Sequence, residues 1–210
     1  MFALLDPWLY RHPFEGSSAR RYARDERPAF GDLDVRLCDH WAPDLDRARV
    51  LLDVGAGPGT FLAEMRARRP DLAAIALEPS RDFAATLPAG GVRALAEELP
   101  LSDASVDVAV SISSIRHVAD RRAALAELRR VIRPGGACLI AELDPAATRH
   151  RIRNHADHLR GALLRVAFGP LVVRTAPTAA AIADLARAAG WSRIELEDDP
   201  VQPVYLMRLA

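Results

Sequence analysis

The sequence contains no lysine. All 28 basic residues are arginines, and 28 acidic residues bring the formal net charge to zero. The absence of lysine excludes any chemistry that needs a lysine amine. The zero balance argues against a general binder of nucleic acid or of anionic membranes, although it leaves room for a local basic patch. We therefore expect neither nucleic acid nor membrane among the partners of this chain.

Cysteine and long apolar runs are also scarce. Cys38 and Cys138 lie far apart and form no CxxC pair, which suits a reducing compartment. No apolar run approaches the roughly 20 residues of a membrane span. The first residues lack the basic and apolar order of a signal peptide. These absences lead us to expect a cytoplasmic protein.

Apolar strand-forming runs alternate with helical patterns along most of the chain. Five runs predict strands, at 49–53, 72–77, 92–95, 106–112 and 137–143. This alternation predicts a parallel sheet with helices on both faces. Two more strands, at 191–196 and 204–209, predict an antiparallel finish. The predicted fold is α/β, Rossmann-like and doubly wound, with a mostly parallel seven-stranded sheet and an antiparallel C-terminal hairpin, in a single domain over 1–210.

A glycine-rich turn joins the first predicted strand to a helix. Its pattern is Asp-x-Gly-x-Gly-x-Gly, made by Asp53, Gly55, Gly57 and Gly59. A strand, a glycine turn and a helix N-terminus in this order predict a nucleotide-binding corner. A dinucleotide dehydrogenase would need its last glycine one residue later, where Thr60 stands. That spacing argues against an NAD-type oxidoreductase, which we keep as a less favoured alternative.

Two carboxylates end successive predicted strands. Asp53 ends the first, where its charge suits a cationic ligand group, and Glu78 ends the second. In open parallel sheets the ligand lies at the carboxyl ends of the strands. An acid at the position of Glu78 suits the hydroxyl groups of a ribose.

With these motifs in place, residues 49–144 resemble class I S-adenosylmethionine-dependent methyltransferases, in particular the small-molecule branch. The resemblance includes the glycine turn at 50–59, the Glu-Pro-Ser run at 78–80 and the run from Leu125 to Gly136. It implies transfer of a methyl group from S-adenosyl-L-methionine to an oxygen, nitrogen or carbon of a small molecule, with S-adenosyl-L-homocysteine as product. The oligomeric state stays open.

The resemblance also implies roles for individual residues. The methionine part of the cofactor would be held by Asp53, Gly55, Ala56, Gly57 and Gly59, with Ser111 beneath it. Glu78 would bind the ribose. The adenine would meet Pro79 and Leu99 as apolar walls and the backbone N–H of Ala96.

One position departs from the family pattern. The family usually carries an acid for the adenine amino group at the end of the third strand, where this chain has Leu95. Either Glu97 or Glu98 reaches the amino group instead, or backbone and apolar contacts hold the adenine alone. The departure motivates an alternative function, a methyltransferase-like domain that binds the cofactor weakly or not at all and serves as an accessory protein.

Histidines offer the remaining chemistry. His117, which follows the fourth strand, is the candidate general base, and its neighbour Arg116 either binds an acidic substrate or is exposed to solvent. His150, His155 and His158 suggest a metal, but their spacing in an arginine-rich helix predicts a solvated helix face, and we expect no metal site.

The two ends of the chain match no motif. We expect residues 1–48 to form a helical cap and residues 145–177 a helical insertion, and both to contact the substrate. The aromatic residues of the cap form either a lid over the cofactor or a minor core; they are Trp8, Tyr10, Phe14 and Tyr22.

Overall fold

A computed structural model describes residues 14–87 and 91–210 of the chain. Seven strands form one sheet in the order β3-β2-β1-β4-β5-β7-β6. They are β1 (Val50–Val54), β2 (Ala73–Leu77), β3 (Gly91–Val92), β4 (Val106–Ile112), β5 (Ile132–Leu143), β6 (Ile194–Asp198) and β7 (Val204–Leu209). Strands β1 to β5 pair in parallel, and β7 runs antiparallel to both β5 and β6. The predicted fold class is confirmed.

Helices flank the sheet. They are α1 (Ser17–Arg21), α2 (Leu33–His40), α3 (Ala42–Leu45), α4 (Thr60–Arg68), α5 (Arg81–Ala84), α6 (Arg121–Val131), α7 (Arg149–Asp157), α8 (Ala162–Ala167) and α9 (Ala179–Ala188). Short helical turns of other pitch occur at Tyr22–Glu26, Arg27–Phe30, Ile115–His117 and Phe168–Val173.

Two hydrophobic cores lie on the two faces of the sheet. Successive residues of β1 alternate between them, because side chains of a strand point to opposite faces: Leu51 packs with α2 and α4, and Leu52 packs with α6 and α9. Both leucines are fully buried. This double coverage explains why the strands of the parallel part are mostly apolar.

The third strand is shorter than predicted. The pattern predicted a strand at 92–95, whereas β3 ends at Val92. β3 is the edge strand of the sheet and pairs only with the last two residues of β2. Beyond it the chain leaves the sheet, and Leu95 stands 59 % exposed.

The insertion contains α7 and α8. His150 and His158 are exposed, as the predicted solvated face requires, but His155 is not. The ring of His155 lies buried, stacked on Phe168 at 4.5 Å and edge-on to Phe30 at 4.7 Å. Burial lowers the pKa of His155 to about 4, so the imidazole is neutral at physiological pH. Within 14–87 and 91–210, no group of His, Cys, Asp or Glu could hold a metal ion. No helix among these residues is long and apolar enough to cross a membrane.

Candidate active site

A cavity of about 350 Å³ opens at the carboxyl ends of β1, β2 and β4. Its wall includes eight of the ten residues assigned to the cofactor from sequence: Asp53, Gly55, Ala56, Gly57, Glu78, Pro79, Ala96 and Glu97. The predicted base, His117, also lines it. This is the position where parallel sheets bind ligands, because the loops after neighbouring strands diverge there.

The glycine turn forms one wall of the cavity. Gly55, Gly57 and Gly59 have φ angles of 72°, 55° and 78°, which L side chains rarely adopt. A Cβ atom on Gly55 would lie 2.6 Å from the Cβ of Ser114, whereas one on Gly57 would meet no atom within 4 Å. Gly55 therefore allows two loops to pack together, and Gly57 leaves space beside the cavity.

Two alanine substitutions separate these roles. Gly55→Ala adds a clash to backbone strain, and we expect it to lower the free energy of unfolding by about 2–5 kcal/mol. Gly57→Ala adds backbone strain without a clash, and we expect it to lower the free energy of unfolding by about 1–2 kcal/mol. Urea unfolding of both variants measures the difference. Equal losses would show that the contact with Ser114 does not constrain the turn.

Glu78 connects the turn to the second strand. Its Oε2 accepts a hydrogen bond from the N–H of Gly57 at 2.7 Å, and its Oε1 accepts one from the N–H of Ser80 at 2.8 Å. Burial raises the pKa of Glu78, and the two N–H donors act in the opposite direction. Each carboxylate oxygen has a second lone pair, which can accept from a ligand hydroxyl.

Asp53 is the most perturbed acid of the cavity. It is 2 % exposed, and its burial raises its pKa to about 8. The charge of Asp34 raises the pKa further, and the cation of Arg27 opposes the shift. A buried acid of this kind gains most from a cationic ligand group, which would stabilise its charged form.

Arg27 supplies the cation of the cavity. Its Nε donates to Thr60 Oγ1 at 3.0 Å, and its Nη2 donates to the carboxylate of Asp34. The guanidinium carbon also lies 5.2 Å from the ring centroid of Phe30. We did not predict this residue, because its sequence neighbourhood shows only another arginine in a basic segment.

The far side of the cavity contains the residues assigned to adenine. Ala96 and Glu97 line it, and Oε1 of Glu97 accepts from the N–H groups of Ala119 and Asp120 at 3.0 and 3.1 Å. Glu98 is exposed and is not part of the lining. Of the two acids considered, Glu97 is therefore the one placed at the cavity.

Three residues assigned from sequence lie outside the lining, as far as the described residues define it. Leu99 is buried behind the wall, with its N–H bonded to Glu127. Gly59 caps the N-terminus of α4. Ser111 contacts the cavity wall only through Ser114. The hydroxyl of Ser111 lies 2.7 Å from that of Ser114, and the Ser114 hydroxyl donates to the carbonyl of Val54.

Part of the chain matches a family of known proteins, and the fold matches solved structures. Residues 52–140 match the family described as a methyltransferase domain. Over this segment, which is less than half of the chain, the protein is similar to methyltransferases. The crystal structure of a SAM-dependent methyltransferase from Aquifex aeolicus matches with a TM-score of 0.66 at 14 % identity, over 92 % of this chain and 95 % of that one. At this identity the likeness shows the fold alone.

Relatives by sequence agree with this family. A malonyl-[acyl-carrier protein] O-methyltransferase from Dechloromonas aromatica is 37 % identical over 142 residues, which are 62 % of this chain and 53 % of the relative. An uncharacterized methyltransferase from Mycobacterium sp. (strain JLS) is 38 % identical over 116 residues, 52 % of this chain and 46 % of the relative. The chain spans about half the length, or less, of the first curated relatives it matches.

An N-terminal segment of the protein packs over the cavity. The ring of Phe14 lies 4.8 Å from that of His117 and 5.1 Å from that of Tyr22. The carbonyl of Phe14 accepts a hydrogen bond from the hydroxyl of Ser80 at 2.5 Å. Phe14 and Tyr22 both line the cavity, which places them where a lid would be, while Trp8 and Tyr10 lie outside the described residues.

Arg116 takes neither role suggested by the sequence. Its side chain is 4 % exposed, and its guanidinium lies 3.8 Å from the carboxylate of Glu142, which is fully buried in β5. Its Nη2 also donates to the carbonyl of Val172 in the insertion. Arg116 thus connects its own loop, which also contains His117, with the sheet through Glu142 and with the insertion through Val172.

Two contributors to the site were missed from sequence, Arg27 and Ser114. Arg27 precedes a proline in an irregular segment, and no pattern connects it with Asp53, 26 positions further along. Ser114 lies two residues after the fourth strand, and its position near a strand end was the available signal.

Proposed function

We propose that this methyltransferase transfers a methyl group from S-adenosyl-L-methionine to an oxygen, nitrogen or carbon nucleophile of a small molecule. The observation that carries the proposal is the pair of buried carboxylates, Asp53 and Glu78, on either side of a glycine turn in one cavity. The residues fit the cofactor. Gly57 leaves open space beside the cavity, and the two carboxylates suit the cationic group and the hydroxyl groups of the cofactor.

In this proposal each end of the cavity recognises one part of the cofactor. Asp53 pairs with the α-ammonium group, and the guanidinium of Arg27 pairs with the α-carboxylate. Glu78 accepts from the ribose hydroxyls while keeping its two backbone donors. Near Leu95 the adenine is held by the N–H of Ala96 and by Glu97, in place of the acid that the family usually carries there.

When bound, S-adenosyl-L-methionine supplies an activated methyl group. The chain's own contribution is to hold the acceptor in line with it, because proximity supplies much of the rate of such transfers. The aromatic rings of Phe14 and Tyr22 exclude water from the cavity. His117 lies at the wall beside Phe14, where its imidazole can take the proton of an acceptor that arrives protonated.

Substrate selection is assigned to the cap and to the insertion, residues 1–48 and 145–177. Tyr22 of the cap lines the cavity, and the insertion reaches the loop of His117 through the bond between Arg116 and Val172. The related malonyl-[acyl-carrier protein] O-methyltransferase methylates oxygen, which makes an oxygen acceptor the first class to assay.

Titration calorimetry with S-adenosylhomocysteine tests the cofactor assignment, and transfer of a labelled methyl group to an acceptor panel tests the reaction. We expect saturable binding of S-adenosylhomocysteine and none of NADH. Equal binding of NADH would favour an oxidoreductase. Binding without transfer to any oxygen, nitrogen or carbon acceptor of the panel would favour an accessory protein.

A pair of ligands tests the role of Arg27. 5′-Methylthioadenosine lacks the amino acid part of S-adenosylhomocysteine, so it has no carboxylate that Arg27 could bind. We expect Arg27→Gln to weaken S-adenosylhomocysteine about tenfold to a hundredfold, the value of a charge-assisted hydrogen bond, and to leave 5′-methylthioadenosine unchanged.

The control is Arg122→Gln on the exposed face of α6. Retained binding of 5′-methylthioadenosine also shows that the variant is folded. A parallel loss of both ligands would contradict the assignment and give Arg27 a structural role through Asp34 and Thr60.

A further inference from the structure

The insertion concentrates positive charge in a neutral chain. Residues 145–176 contain six arginines and one acid, Asp157, which is a net charge of +5. The other residues hold the remaining 22 arginines against 27 acids, a net charge of −5. The protein is therefore polarised, with a basic segment attached to an acidic body.

The same segment exposes apolar side chains. Helix α8 has no buried residue. Leu163 is 83 % exposed and Val166 is 76 % exposed, the two highest values among the large hydrophobic side chains that the structure describes. Pro170 and Leu171 follow one turn later and are also exposed. Leu163 and Val166, three residues apart in α8, share one helical face, and Pro170 and Leu171 lie in the helical turn that follows.

The segment lies beside the active-site cavity. The bond from Arg116 to Val172 ties it to the loop of His117. Nη1 of Arg160 lies 3.8 Å from the carboxylate of Asp25, in the helical turn that also carries the cavity residue Tyr22. A partner bound to α8 would thus be close to the cavity.

We propose that residues 149–171 form a basic and apolar surface that binds an anionic lipid bilayer. Arginines around an apolar helical face are the pattern of helices that lie in the bilayer interface, where apolar side chains enter the acyl boundary and cations meet the headgroups. Helix α8 has no buried residue, so it protrudes from the protein surface. A bilayer can bind such a protruding helix, because it needs no groove that matches the helix. The negative charge of the body orients this surface toward the bilayer.

Vesicle flotation with the full chain tests the proposal. The probes are vesicles of phosphatidylcholine alone and vesicles of equal parts phosphatidylcholine and phosphatidylglycerol, at low and at high salt. We expect binding to the anionic vesicles only, and a decrease of that binding at high salt because the attraction is screened.

Two pairs of matched variants locate the contact. Leu163→Ser with Val166→Ser removes the apolar part, and its control is Leu196→Ser on the edge strand β6, where Leu196 is 52 % exposed. Arg149→Gln with Arg153→Gln removes two charges, and we expect about a tenfold loss of vesicle binding. Its control, Arg122→Gln with Arg187→Gln, removes two exposed charges from other helices.

Unchanged affinity for S-adenosylhomocysteine in the four sets of variants would show that they are folded. The proposal is overturned if the anionic vesicles do not bind, if neutral vesicles bind as well, or if each variant matches its control. Binding of polyglutamate without vesicle binding would overturn it in favour of an acidic protein partner.

Discussion

Asp53→Asn is expected to stabilise the protein at pH 8 and to abolish tight binding of S-adenosylhomocysteine. Asp53 is 2 % exposed, and its folded-state pKa is raised from 3.8 to about 8. In the unfolded chain this carboxyl ionises near its ordinary value. Between the two pKa values the unfolded state therefore binds fewer protons than the folded state, and folding loses stability as the pH rises.

The magnitude follows from the size of the pKa shift. Each pKa unit corresponds to about 1.4 kcal/mol, so the cost from Asp53 grows by roughly 3–4 kcal/mol between pH 5 and pH 8. An asparagine has no charge and avoids this cost. We expect the variant's thermal midpoint, relative to wild type, to rise by about 5–10 °C over this pH range.

Calorimetric melting at the two pH values measures the effect, and Asp46→Asn, at an exposed position, is the control. Comparing the midpoint difference between variant and wild type at the two pH values removes any effect of the amide that does not depend on pH. A variant whose stability relative to wild type does not depend on pH would show that Asp53 is not held neutral by burial.

Binding of the ligand should depend on pH in the opposite direction. The α-ammonium group needs the charged form of Asp53, so wild-type affinity for S-adenosylhomocysteine should rise up to about pH 8, by at most about tenfold per unit. Below that pH, binding releases a proton, which calorimetry in buffers of different ionisation enthalpy detects. In Asp53→Asn both signals vanish, and 5′-methylthioadenosine still binds.

Glu78→Gln should weaken the binding of both ligands, S-adenosylhomocysteine and 5′-methylthioadenosine. The carboxylate of Glu78 accepts from Gly57 on one oxygen and from Ser80 on the other. A glutamine has one oxygen and one NH₂ group, so one of these buried N–H groups would face a donor. Such an unmet donor costs about 1–3 kcal/mol, and the ribose hydroxyls lose an acceptor as well.

Together these losses predict a decrease in affinity of about a hundredfold or more for S-adenosylhomocysteine and for 5′-methylthioadenosine. The parallel loss distinguishes Glu78 from Asp53 and Arg27, whose variants should lose only the ligand with the amino acid part. Glu98→Gln, an exposed neighbour outside the cavity lining, is the control. Tight binding of 5′-methylthioadenosine by Glu78→Gln would rule out a ribose contact.

Prediction from the sequence was most successful where the structure depends on residues that are close together in the sequence. The alternation of apolar strands and helices predicted the sheet, because burial on both faces imposes that pattern locally. Gly55, Gly57 and the acids at 53 and 78 line one cavity, since strand ends of a parallel sheet meet at one edge. The edge strand β3 was overextended, because Ala94 packs against one of the hydrophobic cores and Leu95 lines the cavity, and neither residue pairs with the sheet.

The sequence by itself determined the α/β architecture and the Asp53–Glu78 corner. Only the tertiary structure decided that Arg27 enters the cavity, that Arg116 is buried against Glu142, and that His155 packs between aromatic rings. These contacts join residues far apart in the chain, through segments whose local patterns are irregular. An arginine has the same appearance in sequence whether it faces solvent, a carboxylate or a ligand, and its burial depends on what the fold brings against it.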